Sequence, residues 1–335
     1  MKPEASKPRY ESFFTVFLAR FGKNKAGRFA FYFVILLILL AIFAPFLAND
    51  APVMMVKEGK LDFPGLLAPS EYLSTDWRNP GFQIDFALWP LVRYSPVKSD
   101  LANRVQPPSW DHPFGTDDQG MDVFARIIWG TRISISIGVI SAGLTFLIGS
   151  LIGSVAGYFG GAVDVVFSRI IEIMMCFPTF FLILSVLAFM PPSYYNIIIV
   201  IGITGWTSIA RLVRGEVLKV KTLDYVRAAK VNGVGSFGII TKHVLPNSIT
   251  PALVSATFSV AGAILVESTL SFLGFGVQPP TPSWGAIIRV AYSYIQFDRG
   301  WWLSLFPAIA IFLTVTSYNL LGQAIRDSAD PRLIE

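Results

Sequence analysis

The chain has 335 residues, of which 53% are hydrophobic and only 15% charged. A soluble fold carries about 25% charged residues, so much of this surface faces lipid. Cys176 is the only cysteine and the net charge is +5. An internal disulfide and a multi-cysteine metal site are therefore excluded, and where Lys and Arg fall matters more than their sum.

Residues 1–28 carry seven basic side chains against two acidic ones. The run Ser12 to Leu18 is apolar enough to lie on a membrane surface, with the basic residues among anionic headgroups; a partly disordered basic tail fits the same composition. Phe29 to Ala48 is an apolar run without a charge. About 20 such residues, rising roughly 1.5 Å each, cross a hydrocarbon core about 30 Å thick. The run exceeds the roughly 7–15 apolar residues of a signal peptide, and Phe46-Leu47-Ala48 is a poor cleavage site, so residues 29–48 read as a retained anchor.

Residues 49–132 form a long segment with prolines at 64, 69, 80, 90, 96, 107, 108 and 113. That spacing predicts an extended, loop-rich insert rather than a compact domain. It reads either as a docking platform for an extracytoplasmic partner or as a passive cover over the helices. Further spans are expected at Ile133–Gly157, Ile170–Met190, Tyr195–Ala210, Ile249–Phe275 and Trp301–Gly322, making six in all. Gly149, Gly153 and Gly157 repeat every fourth residue, a face on which another helix backbone packs closely. Pro178, inside the third span, removes a backbone hydrogen bond and predicts a kink.

The loop after the fourth span, residues 214–247, is rich in Lys and Arg, as is the N-terminal segment. Both are expected to be cytoplasmic, which places residues 49–132 outside and, with six spans, both termini inside. Within the loop, Leu223 to Val231 are good helix formers, and Asp224 favours the helix N-terminus. Gly233 can end that helix in a left-handed conformation. A second helix is expected over Ser236–His243, with Pro246 where the next span begins. Small Ala228 and Ala229 leave one face open to a partner.

These residues carry a resemblance. Ala228-Ala229, Gly233 and Leu245-Pro246 resemble the EAA loop of bacterial ABC importer permeases, with Arg227 in place of the usual Glu and His243 where a branched aliphatic is commoner. The resemblance implies that Asp224, Arg227, Ala228, Ala229, Gly233, His243, Leu245 and Pro246 form a coupling segment seated on an ATPase. It continues through His112-Pro113-Phe114-Gly115-Thr116-Asp117, Asp122 to Arg126, Gly130 to Ser134, Gly160-Gly161 with Asp164, Glu267 to Gly276, Pro282 to Gly285, and Leu321-Gly322 to Pro331. From residue 112 onward the chain resembles the dipeptide, oligopeptide and nickel permeases. Asn49-Asp50 with Pro52, and Leu88-Trp89-Pro90, look most like the Yej-type C-class subunit, whose systems import oligopeptides and peptide antibiotics such as microcin C.

The family likeness implies an all-α integral membrane protein of the type I ABC importer permease fold, with a periplasmic insert between the first two helices. The expected layout is a cytoplasmic segment 1–28, a first span 29–48, an insert 49–132, a five-helix core 133–325 and a cytoplasmic tail 326–335. The implied partners are a homologous permease subunit, two ATPase subunits and a solute-binding protein, in a bacterial inner membrane. No Gly-x-x-x-x-Gly-Lys-Ser/Thr loop is present, so ATP and Mg are expected on the ATPase subunits and no cofactor on this chain. Peptides are the expected cargo; nickel, glutathione or another small solute fits the same machine. A secondary transporter would show inverted repeats and interrupted helices in matching positions.

Glu267 is the one acid inside an expected span. An intramembrane carboxylate faces a wet path or finds a partner, so it reads either as lining the substrate path or as a structural pair. His112 and His243 have no cysteine or second histidine at ligand spacing, which argues against metal, and no Gly-x-Ser-x-Gly turn supports a hydrolase. Asp117, Asp118 and Asp122 read either as a cation site or, in preference, as helix-capping and solvated acids.

Overall fold

In the computed structural model, residues 13–67, 72, 75–77, 79–295 and 299–329 are described; the lead-in before residue 13 and the tail beyond 329 lie outside them. The helices run in chain order as α1 (Phe13–Lys23), α2 (Lys25–Ile42), α3 (Ala44–Leu47), α4 (Pro64–Leu67), α5 (Val123–Phe159), α6 (Gly161–Cys176), α7 (Thr179–Ala188), α8 (Tyr194–Thr204) and α9 (Trp206–Val220). They continue as α10 (Asp224–Val231), α11 (Ser236–Ile239), α12 (Leu245–Ser248), α13 (Thr250–Leu273), α14 (Trp284–Ile295) and α15 (Trp301–Ala329). Five stretches are long and apolar enough to cross a membrane: α2, α5, α8 with α9, α13 and α15. The pair α6 and α7 makes a sixth if counted as one span, bent by 81°.

Local chemistry explains the breaks. Asn24 separates α1 from α2 and caps α2, its side chain accepting from the Gly27 amide at 2.9 Å. Asp122 caps α5 the same way, accepting from Ala125 N at 2.7 Å. This cap starts α5 about ten residues before the apolar run, and its 37 residues extend about 55 Å. Pro178 does more than kink its span: the helix stops at Cys176 and restarts at Thr179 in a new direction. The fourth span continues as helix through Arg214 to Val220, so the first turns of the 214–247 segment belong to the bundle. The second helix of that loop is α-helical only over Ser236–Ile239 and turns π-helical over Ile240–Val244. The amphipathic α14 was not anticipated as a helix.

The insert is more ordered than its prolines suggest. Strands β1 (Met54–Lys57), β2 (Lys60–Asp62) and β3 (Phe86–Leu88) form an antiparallel sheet ordered β2-β1-β3. Glu58 and Gly59, both with positive φ, make the two-residue turn between β1 and β2, the connection whose twist suits a hairpin. Met55 is fully buried beneath the sheet, beside Ala51, Tyr72 and Trp77. The prolines fall outside the strands, where no ladder donor is needed.

The bundle is built around α5. One apolar cluster joins it to α2, α13 and α15 through Val34, Ile135, Ile264 and Tyr318. A second joins it to α7, α8 and α13 through Ile137, Ile183, Ile197 and Leu270. Large apolar side chains such as Phe29, Tyr32, Leu147, Leu151 and Ile173 remain exposed on the helix surfaces, as lipid contact requires. The insert sits at the N-terminal end of α5, where Trp129 Nε1 donates to Ala48 O at 2.6 Å and Trp302 Nε1 to Thr116 O at 3.1 Å. The 221–249 loop sits at the opposite end, as does the approach of Gly27 to Ala324. The first described turns of the chain and the last therefore share the loop's side.

Candidate functional site

At the loop end, α10 leaves α9 after a turn at Lys221–Leu223. Leu223 precedes it with extended backbone and no side-chain cap. Asp224 lies in the first turn, where its charge favours the helix dipole; its 3.9 Å contact with Arg227 joins two exposed side chains and contributes little. The helix ends in a Schellman motif: Val234 N donates to Ala229 O and Gly233 N to Lys230 O, each at 3.1 Å. Gly233 has φ of +80° with open space around it. Its requirement is conformational rather than steric.

Val226 and Ala229 are the buried face of α10. Val226 joins Ile239, Val244 and Ala252 against Val213 and Val217 of α9, with Leu245 packed on the edge. Tyr225 Oη reaches the His243 carbonyl at 3.5 Å, and Asn247 Nδ2 donates to it at 2.7 Å. Leu223, Tyr225, Arg227, Ala228, Lys230, Val231 and Phe237 face outward. The reading of Ala228 and Ala229 as one shared open face is therefore corrected. Consecutive helical residues stand about 100° apart, and Ala229 points into its own chain. Pro246 is exposed and opens the short helix before α13. The loop is thus a preformed unit with a mixed apolar and basic outer surface.

That unit is braced on α5. Gly149, Gly153 and Gly157 face α9: an added Cβ would stand 2.8 Å from Ile209 Cβ, 2.9 Å from Val213 Cβ and 2.8 Å from Val217 Cγ1. The glycine row and the β-branched row Ile209, Val213, Val217 share the four-residue period, so the two backbones close ridge to groove. Arg214 pairs with Asp164 through two hydrogen bonds, holding α9 to α6.

Glu267 lies near the other end of α13 and is fully buried. Ser271 Oγ donates to one carboxylate oxygen at 2.7 Å; Ser134 Oγ donates to the other at 3.1 Å, with Ser268 Oγ at 3.5 Å. Ser283 Oγ stands 3.3 Å from Ser271 Oγ, and Val277 N donates to that same Ser271 oxygen at 3.0 Å. The path-lining reading of Glu267 is corrected here: serines of α5, α13 and the segment before α14 enclose the carboxylate. Those donors satisfy it without a cation.

Sequence reasoning did not find the polar knot ahead of α5. His112 Nδ1 lies 2.8 Å from Asp122 Oδ2, beneath the Tyr94 ring. Asp117 accepts from Gln119 N and Met121 N at 2.9 Å and pairs with Arg126 at 3.3 Å. All four side chains are buried, so these acids are not solvated. Burial pushes the carboxyls of Asp117 and Asp122 above the ordinary aspartate value, against the pull of Arg126 on Asp117 and of the Ala125 amide on Asp122. Arg126 stands between apolar Val123 to Ala125 and Ile127 to Trp129, and a charge within that run was the available signal. Among the described residues, no group of His, Cys, Asp and Glu stands ready to hold a metal.

The chain is similar to known proteins. Residues 149–335 match the family described as binding-protein-dependent transport system inner membrane component, and residues 12–69 match the N-terminal transmembrane domain of oligopeptide transport permease C. The dipeptide transport system permease protein DppC of Bacillus subtilis is 42% identical over 72% of this chain and 76% of its own length. The oligopeptide permease OppC of the same organism is 34% identical over 94% and 88%. The glutathione transport system permease GsiD of Pectobacterium atrosepticum is 38% identical over 68% and 74%. An inward-facing MetNI methionine ABC transporter aligns with a TM-score of 0.48 at 18% identity, over 59% of this chain and 94% of that one. With most of its length matched, the chain belongs to the inner-membrane component family of binding-protein-dependent transport systems, as a C-type permease subunit of an ABC importer.

Proposed function

We propose that this chain is one half of a peptide-importing channel in a bacterial inner membrane, working with a homologous permease, two ATPase subunits and a solute-binding protein. The observation that carries the reading is the preformed 221–249 loop, whose exposed Tyr225, Arg227, Ala228, Val231 and Phe237 present a surface for a partner. Closure of the ATPases on ATP would push this unit. Its bracing on α5 would pass the motion to the bundle as a rigid-body rotation. ATP and Mg are assigned to the ATPases.

Peptide cargo follows from relatives named for dipeptides and oligopeptides; glutathione, itself a tripeptide, stays within the class through the relative named for it. The finer likeness to the Yej-type branch rests on residues that build the insert: Asn49 donates to Gly65 O at 2.9 Å, and Leu88 O accepts from Val53 N at 2.9 Å. Both described ends and the basic loop share one side, which the positive-inside rule makes cytoplasmic; the insert then faces the binding protein.

The test is reconstitution of the four-component assembly in proteoliposomes. ATP-dependent uptake of labelled di- to pentapeptides, stimulated by the loaded binding protein, is expected. Uptake of nickel or of glutathione alone, with no peptide moved, would reassign the cargo. Uptake driven by an ion gradient without ATPase subunits would overturn the proposal.

A further inference from the structure

Where the insert meets the helix bundle there is a cavity of about 680 Å³, within the range of small-ligand sites. Trp77 lines its insert side; Trp129, Arg132 and Ile133 of α5 and Tyr194 at the start of α8 line its bundle side. Ile133 and Pro282 also line it, next in sequence to Ser134 and Ser283 of the buried serine knot.

Among the described residues that line it, Asp50 is held by Lys98 at 3.6 Å, and Arg132 is the remaining charge. The Arg132 guanidinium lies 5.9 Å from the centre of the Trp129 ring. The Trp129 indole is itself fixed by its bond to Ala48 O. Among the described residues, no hydrogen bond or ion pair engages the guanidinium. A planar donor fork, oriented on a tethered indole and facing an aromatic-walled cavity, matches a carboxylate.

We propose that this vestibule is a subsite that receives the C-terminal carboxylate of a peptide on Arg132, with the terminal side chain among Trp77, Trp129 and Tyr194. The inference rests on the peptide-import reading and adds a polarity to it: the cargo is presented carboxyl end first to this subunit.

The experiment compares uptake of one labelled tripeptide as the free acid and as the C-terminal amide, by the complete reconstituted transporter. Each variant is read as a ratio to wild type, so any preference of the binding protein divides out. Arg132→Gln should lower free-acid uptake about tenfold, the scale of one charge-assisted bond, and amide uptake less than twofold. Arg132→Lys, which keeps the charge but not the fork, should fall between. Equal losses for acid and amide in Arg132→Gln, or no loss for either, would overturn the subsite while leaving peptide import intact. A wild-type transporter that moves neither peptide would overturn both.

Discussion

The Lys221 ammonium donates to the Gly157 carbonyl at 2.6 Å, joining the turn before α10 to the C-terminal end of α5. It also reaches Tyr158 O at 3.4 Å, so one cation serves two carbonyls that a helix end leaves without amide partners. This is the shortest polar link from the loop to the central helix. Lys221→Met keeps the length of the side chain and removes the donors. The expected result is a stability loss of about 1 kcal/mol and a weaker dependence of ATP hydrolysis on loaded binding protein. Full coupling in this variant would place the transmission elsewhere, in the Gly153–Val213 contact or the Arg214–Asp164 pair.

The different exposure of Ala228 and Ala229 separates docking from folding. Ala228→Trp adds bulk to the outer face and should leave the thermal melt of the isolated subunit unchanged while blocking assembly with the ATPases. Ala229→Trp forces an indole into a buried position and should destabilise the subunit by about 1–3 kcal/mol. Gly233→Val should destabilise by about 1–2 kcal/mol through its left-handed backbone alone, with Gly233→Asn milder. An Ala228→Trp subunit that assembles and couples normally would remove α10 from the interface.

Much of this arrangement was legible in the sequence, and the failures have physical causes. Apolar runs marked five stretches long enough to cross because a bilayer demands about 20 residues of them, while the run Ile170–Met190 is broken between α6 and α7. They did not locate the start of α5, since Arg126 is buried by Asp117 and the Pro96 carbonyl rather than by apolar neighbours. The glycine row was readable from its period, but its partners Ile209, Val213 and Val217 lie in a different span. Ala228 and Ala229 were recognisable as small, while their directions depend on where α10 rests on α9. The serines around Glu267 come from positions as distant as Ser134, beyond any local pattern.

The acids ahead of α5 predict an unusual pH response. Burial raises the folded carboxyls of Asp117 and Asp122 above the ordinary value of 3.8. The folded segment therefore takes up protons at a pH where the unfolded chain does not. Where the folded state binds more protons, stability falls as pH rises. These two groups should add stability as pH drops from neutral toward about 3.8, with no further gain below it. Hydrogen exchange at the Ala125 amide, corrected for intrinsic rate, is expected to slow as pH falls from neutral toward about 3.8, with Asp122→Asn flattening the trend. Exchange that quickens as pH falls would overturn this assignment.

Glu267 offers the sharpest contrast between a cargo contact and a structural knot. Glu267→Gln keeps one acceptor for Ser134 or Ser271 and supplies an amide that can donate to the remaining hydroxyl, so the subunit should fold and assemble. Glu267→Leu fills the space but leaves Ser134 and Ser271 without their shared acceptor, and Val277 N remains bonded to a hydroxyl that has lost its own partner. That variant should lose about 2 kcal/mol or more, the penalty for orphaned buried polar groups. In uptake assays, Glu267→Gln should treat peptides with free and acetylated amino termini alike, because the enclosed carboxylate meets neither. A selective loss of the free-amine peptide in Glu267→Gln would show that the knot opens during transport and exposes the carboxylate to cargo.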